Sequence, residues 1–384
     1  MGKITAVNGQ VMKWARNLNN MSVSYVASRV GKSAQDIISW EEGTDYPTYA
    51  QLEKLSDLYK KPLAVFFFPD VPHISSPKSS CRSLPESLCD SLSYKVIRIM
   101  NEARARQISL YELNEGINPA PVLLTDIKYP SDIQSAAREL RNILGISLEE
   151  QKQIRDANEA LEMWRDRFLE FGIYVFKEAF SDNSISGFCL YDNEFPVIYI
   201  NNTMSFTRQI FTLFHEFYHL ISNTSGIDKI QDDFLDQLSK SQLITEKSCN
   251  QFAAEFLVPN DDFNEEIKGR TVDDLLIENL SQKYNVSREV ISRKLLDMRM
   301  ISQEEYECKR EEYLNDFLRA KKLKNGGGNY YNTKVSYLGY GYLNLVFSNY
   351  EKRKIDVFQL AEYTGTKIEH LPKLEVSWGW RVKR

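Results

Sequence analysis

The chain has 384 residues, of which 42% are hydrophobic and 26% charged, and its formal net charge is −5. That length predicts two or three domains with cores of their own. The slight acidity excludes a bulk electrostatic footprint for nucleic acid, so any DNA contact has to come from a local surface, and the longest apolar run, Leu63 to Phe68, is too short to span a bilayer.

The five cysteines, Cys81, Cys89, Cys189, Cys249 and Cys308, are scattered and form no C-x-x-C pair. They read as reduced thiols rather than as a disulfide framework or a cysteine zinc knot. The stretch MGKITAVNGQ lacks the apolar segment of a signal peptide. A cytoplasmic protein with no membrane association is expected.

Residues 10 to about 70 read as short helices. Val23, Val26, Ala27 and Val30 recur at helical spacing until Gly31-Lys32 breaks the pattern. Ser33 can cap the next helix, with Ile37, Ile38 and Trp40 as its apolar contacts. Gly43 to Pro47 reads as a loop, Tyr49 to Tyr59 as a further helix, and Phe66 to Pro69 closes the unit. The Ser/Pro-rich residues 72–82 read as a linker. Residues 90–170 look helical, with breaks at Asn118-Pro119, Tyr129-Pro130 and Gly145. After Phe171 the pattern changes to β-rich runs at Gly172 to Phe176, Ser186 to Tyr191 and Pro196 to Ile200, for which a three-stranded antiparallel sheet is the simplest arrangement. Asn201-Asn202 ends it, and Ser205 or Thr203 caps a helix running to about Ser222. A second helix covers Thr245 to Leu257 and stops at Pro259. Residues 271–318 are helical and highly charged, Lys324 to Tyr331 reads as a hinge, and the remainder forms a tail of open class.

The chemistry concentrates in FTLFHEFYHL, residues 211–220. His215 and His219 are four apart on a helix, so their imidazoles leave one face and can grip one ion. Zinc favours such nitrogen ligands in a tetrahedral shell with one position open for water. Glu216 is offset by about 100° around the helix and can take a proton from that water without being a ligand. Only four histidines occur in the chain, and none lies in the 60 residues after His219, so a carboxylate or a distant group must complete the shell. The helix at 245–259 offers Glu246 and Glu255. At about 100° per residue, Glu246 shares a face with Asn250, Ala253 and Leu257, whereas Glu255 lies about 180° away. Glu246 is the stronger candidate, Glu255 the alternative. Asn250 is placed to hydrogen-bond a ligand histidine.

These residues carry a resemblance. From about Arg138 to Ser302 the chain resembles the ImmA/IrrE family of metallopeptidases, through VIYINN (197–202), HEFYHL (215–220) and the pattern E-x-x-x-N-x-F-A-A-E-F-L-V-P (246–259). The resemblance implies a zincin-like fold with one Zn2+ per chain, His215, His219 and Glu246 as ligands, and Glu216 as general base. It also implies a repressor-type protein substrate. Tyr218 stands where the family often has Gly, and Cys249 where it often has Ala; both departures are expected to affect packing more than chemistry.

Residues 23–42, VSYVASRVGKSAQDIISWEE, fit a helix-turn-helix: Ala27 is small where the helices cross, Gly31 turns the chain, and Val26, Val30, Ile37 and Trp40 fill the core. With its continuation to Pro69 the segment resembles the Xre/Cro-type DNA-binding domain. In that reading the helix from Ser33 to Trp40 enters the major groove of double-stranded DNA, with Ser33, Ala34, Gln35 and Ser39 as the contacting residues and Gln35 suited to adenine. Against it, residues 1–75 carry eight Lys/Arg and seven Asp/Glu, which is little charge for neutralising phosphates; a helical module for a protein partner is the other reading. Residues 276–302 form a second such pattern, expected to be a packing element or a surface for the target protein, although Lys283, Arg288, Arg293 and Lys294 could touch DNA. His73 and His370 stand apart and are expected to be structural. They and Tyr330 and Tyr331 could reach an oxyanion only if the tail folds over the cleft.

The expected architecture is α+β and mostly helical. It comprises a five-helix helix-turn-helix domain at 1–72, a helical linker region at 73–150, a peptidase domain with a small antiparallel sheet and a helical extension at 151–320, and a tail at 325–384. The expected function is a zinc-dependent endopeptidase that cleaves a regulatory protein and is coupled to a DNA- or partner-binding head. The alternative is a non-catalytic Xre-type regulator or antitoxin-like protein that keeps the peptidase fold as a sensor or binding module.

Overall fold

A computed structural model describes residues 2–19, 21–59, 61–72, 92–180, 184–223, 227–229, 240–323 and 328–382. His73, Cys81, Cys89, nearly all of the 72–82 stretch and residues 324–327 lie outside the described residues. The chain divides into two compact units, Met1–Arg104 and Ala105–Arg384. Among the described residues no helix is long and apolar enough to cross a membrane.

In the first unit, α1 (Gly9–Leu18), α2 (Val23–Val30), α3 (Ala34–Glu42) and α4 (Tyr49–Tyr59) are followed by a fifth helical element, the short 3-10 helix Leu63–Phe67. Each start and stop has a local cause. Ser22 caps α2 by accepting from the Tyr25 N–H, and Gly31 ends it in the left-handed region at φ 73°. Ser33 caps α3 in a reciprocal box with Asp36. Val11, Val26, Ile37, Trp40, Leu52 and Phe66 close the core. At Gly9 a Cβ would fall 2.5 Å from the Trp40 carbonyl oxygen, so α1 lies directly on the α3 backbone.

Helix α5 (Tyr94–Leu113) crosses the boundary at Arg104, and the second unit continues with α6 (Ile133–Leu144), α7 (Leu148–Gln153) and α8 (Ala157–Glu170). The sheet follows: β1 (Tyr174–Glu178), β2 (Ile185–Leu190), β3 (Val197–Asn201) and, after α9 (Phe206–Ile221), β4 (Ile227–Lys229). The sheet is four-stranded and mixed, in the order β1-β3-β2-β4, which corrects the antiparallel three-stranded expectation. β2 and β3 form an antiparallel hairpin, but β1 pairs with β3 in parallel, Val175 opposite Ile198 and Phe176 opposite Tyr199. β3 therefore lies between the two strands that precede it, and both interior strands, β3 and β2, are buried along their whole length. One face of the sheet carries Val175, Cys189, Ile198 and Ile200 in the main core. The other carries an aromatic row in which Tyr199 meets Phe176 and Phe188, each at 5.2 Å between ring centroids.

Helix α9 crosses the first face. Ser205 is its cap, accepting from the Arg208 N–H at 3.2 Å, while Thr203 bonds to Asn201 at the strand end. The helix is buried over most of its length and packs Phe214 against Trp164 and Phe217 against Phe168. Its approach to the sheet depends on Gly187 of β2, where a Cβ would sit 2.5 Å from Thr212 Cγ2 and 2.7 Å from the Tyr199 carbonyl oxygen. Against α9 lies α10 (Lys240–Leu257), followed by α11 (Asn260–Ile267), α12 (Asp274–Tyr284), α13 (Arg288–Asp297) and α14 (Gln303–Leu323).

The tail is helical: α15 (Tyr330–Leu338), α16 (Tyr340–Glu351), α17 (Val357–Thr364) and α18 (Leu371–Val382). Helix α15 packs against β1. Buried Arg165 fastens this contact, donating to the carbonyls of Val175 and Ser336 and pairing with Glu162, which also holds the fully buried Lys177. Gly339, at φ 80°, leaves room for that guanidinium.

Gly187→Ala is expected to destabilise the chain by about 1–3 kcal/mol, the usual penalty for forcing extra volume into a packed core. Thr212→Ser in the same background removes one clash partner and should recover part of that loss. Urea denaturation of the single and double variants is the check; an unchanged midpoint for Gly187→Ala would mean that α9 does not lie this close to the sheet.

Candidate metal centre

His215 and His219 leave the same side of α9, with ring centroids 5.1 Å apart. His215 is 1%, Glu216 0% and His219 3% exposed, so three ionisable groups sit inside an apolar helix interface. Such groups are costly to bury unless partners or a metal compensate them. The compensating carboxylate comes from α10. Glu246 Oε2 lies 3.2 Å from His215 Nε2, and its Oε1 lies 3.3 Å from His219 Nε2.

Those distances test whether a metal fits. Two ligand atoms held about 2.0–2.1 Å from zinc at a tetrahedral angle are about 3.3–3.4 Å apart. Two neutral imidazole nitrogens and one carboxylate oxygen are also a donor set that zinc takes at open sites. His215, His219 and Glu246 together could therefore hold the ion. Burial alone drives the Glu246 carboxyl up, but hydrogen bonds and charge from both histidines outweigh it and bring it down to about 2. Glu246 is thus an anion at neutral pH, the form a metal needs.

Asn250, one turn beyond Glu246, sets the histidine's chemistry. Its Oδ1 lies 3.0 Å from His215 Nδ1. An amide oxygen accepts, so Nδ1 is the donor in this contact and Nε2 is the ring nitrogen turned toward Glu246 and available to a metal. Glu255, the alternative third ligand, is on the far side of α10. It accepts from the Asn260 N–H at 3.0 Å and faces Lys294 at 3.5 Å, far from this chemistry.

One donor escaped the sequence reading as a chemical group. Cys249 is fully buried, and the donor atoms of His215, His219 and Cys249 all lie within 4.8 Å of one another. The signal was present: Cys249 is three residues after Glu246 and one before Asn250, hence on the same flank of the helix.

The position of α10 depends on how its C-terminus is held. Pro259 cannot continue the helix, and the freed carbonyls find side-chain donors. Arg141 donates to the Phe256 carbonyl, and Gln151 Nε2 donates to those of Leu257 and Tyr284 at 2.9 and 2.8 Å. Burial draws the Arg141 guanidinium down to about 10, which leaves it charged at neutral pH.

The four basic residues singled out in the second helix-turn-helix pattern each have a partner within the second unit. Lys283 pairs with Glu266, Arg288 with Asp316, Arg293 with Asp297, and the buried Lys294 donates to Asn260 Oδ1 at 2.6 Å. Helix α14 packs on α13. This pair of helices is a packing element of the second unit. His370, far along the chain, meets Tyr331 at 3.1 Å inside the tail.

In the first unit, Ser33, Ala34 and Gln35 are exposed at the start of α3 and Ser39 is half-buried. The Ser33 hydroxyl bonds to Asp36 within the cap, so it serves the helix end first. Arg16 forms a two-pronged pair with buried Glu41, at 2.6 and 2.9 Å, and Lys3 pairs with Asp45. Arg29 and Lys32, next to α3 in sequence, are exposed.

Two family models match the chain. The IrrE N-terminal-like domain matches residues 169–296, from the end of α8 into α13, and a helix-turn-helix domain matches residues 12–66. No curated protein matches the chain significantly.

Zinc titration of the full chain, read with a competing chelator, tests the geometry. Glu246→Ala should abolish tight binding of one equivalent. Asn250→Ala should weaken it roughly 10- to 100-fold, as loss of a histidine's outer partner commonly does. Glu255→Ala should leave affinity unchanged, and a loss there equal to that of Glu246→Ala would assign the wrong carboxylate.

Proposed function

We propose that this chain, an Xre-type helix-turn-helix domain joined to an IrrE-like peptidase domain, is a zinc-dependent endopeptidase whose substrate is a regulatory protein of the repressor type. The observation that carries the reading is the meeting of Glu246 with both histidines at tetrahedral-edge distances. In this proposal His215, His219 and Glu246 hold the metal and Asn250 orients His215. Bound zinc supplies a Lewis acid that polarises a carbonyl and brings water to a reactive pKa near about 7.

Glu216 supplies the remaining chemistry. It follows His215 directly, so it borders the same site but is turned about 100° from the ligand face. It is fully buried, so its carboxylate is held within the site rather than turned out to bulk water. It accepts the proton of the attacking water and delivers it to the departing amine, which is the shuttle that peptide hydrolysis requires.

A regulatory protein as substrate follows from the partner domain. Helix α3 presents Ala34 and Gln35 at an exposed N-terminus, where recognition helices of this kind touch base edges. Arg29 and Lys32 provide the nearby positive charge. A head that reads duplex DNA brings the peptidase to where a repressor is bound. Gln35→Ala is expected to weaken binding to the cognate operator by about 1–3 kcal/mol, with the salt dependence unchanged; gel shifts at several salt concentrations distinguish this from a general loss of charge contacts.

Glu216→Gln removes the proton acceptor and keeps the size of the side chain. It should bind zinc as wild type does and lose cleavage of the cognate substrate by at least about 100-fold, the lower end of general acid–base contributions. The substrate is identified as the protein retained by this variant in a pull-down and cut by wild type. Cleavage at the wild-type rate would remove Glu216 from the mechanism.

A further inference from the structure

We propose that Cys249 is a fourth metal-binding side chain of this centre, so that the ion has two coordination states: a closed one with Cys249 bound and an open one with that position given to water. The inference rests on the metal-centre reading above. Three observations carry it. The donor atoms of His215, His219 and Cys249 lie within 4.8 Å of one another. The thiol is fully buried on the helix that brings Glu246 to the histidines, three residues beyond it. Asn250, the next residue, already touches His215 at 3.0 Å, which fixes this flank of α10 on the site.

The coordination chemistry gives the consequence. With zinc about 2.3 Å from sulfur and about 2.0–2.1 Å from nitrogen, a shared ion sets sulfur and nitrogen about 3.6 Å apart, inside the observed limit. Thiolate is also the softest donor available and competes well for zinc. Four protein donors make a closed site of the structural type, whereas three leave the position that catalysis needs. Cys249 therefore holds the ion tightly in the resting protein and has to leave it before a substrate is cut. The coordination step loses one proton from the thiol to solvent and involves no change of oxidation state.

Cobalt(II) reports on this directly, because a thiolate bound to cobalt gives a near-ultraviolet charge-transfer band and histidine and carboxylate donors do not. Full-length wild type, Cys249→Ala and Cys249→Ser are titrated with cobalt chloride after chelator treatment, and circular dichroism verifies the fold of each. Wild type should bind one equivalent with both the visible bands of a tetrahedral site and the charge-transfer band. Both variants should keep the visible bands and lose the charge-transfer band, and their zinc affinity should fall at least roughly 10-fold, the smallest loss seen when even an outer partner of a ligand is removed. Tetrahedral visible bands in wild type without charge transfer would overturn the role of Cys249 and leave the His215–His219–Glu246 centre standing. No cobalt or zinc bound to folded wild type would overturn both.

Discussion

Placing His215, Glu216 and His219 inside an apolar helix interface is costly, and the second unit is organised around meeting that cost. Ionisable groups survive burial when something of opposite charge or a donor of matching geometry faces them. Glu246 does this for both histidines at once. Its carboxylate can do so only if α10 lies in register with α9, because a slip of one residue would swing it about 100° off the site. The register is thus the constraint on which the centre depends.

Several distant groups serve that register. Arg141 and Gln151 occupy the carbonyls at the end of α10 and tie them to α6, α7 and α12. Phe252 and Phe256 lock the middle of the helix against Tyr218 and Phe214. On the opposite side Gly187 lets α9 press onto the sheet. Through these contacts each residue bears on how α9 and α10 are set against one another. Tyr218 has a packing role of the same kind, since its ring lies on Phe252. Cys249, the other departure from the resembling pattern, sits among the donors instead.

The first unit follows a different economy. Its core is closed by short capped helices, Arg16 is held on buried Glu41, and Lys3 pairs with Asp45 at the surface. What it shows at the α3 N-terminus is small and polar, Ala34 and Gln35. Exposed Arg29 and Lys32 lie next to it in sequence.

By itself the sequence determined the features that depend on local spacing. Capping residues, glycine stops and period-3.6 runs mark the helices of the first unit because those signals act within a few residues. His215, Glu216 and His219 are legible for the same reason, and Glu246 and Asn250 follow once the face of their helix is worked out. Tertiary structure decided what local spacing cannot carry. The insertion of β3 between β1 and β2 leaves no trace in periodicity, since a strand has the same alternation whichever neighbour it takes. The packing of the tail on β1 through Arg165, a residue whose partners are up to 171 positions away, is equally silent in the chain. Cys249 is an intermediate case: helical spacing puts it on the flank of Glu246 and Asn250, but only the packing of α10 on α9 brings its sulfur within 4.8 Å of two imidazoles.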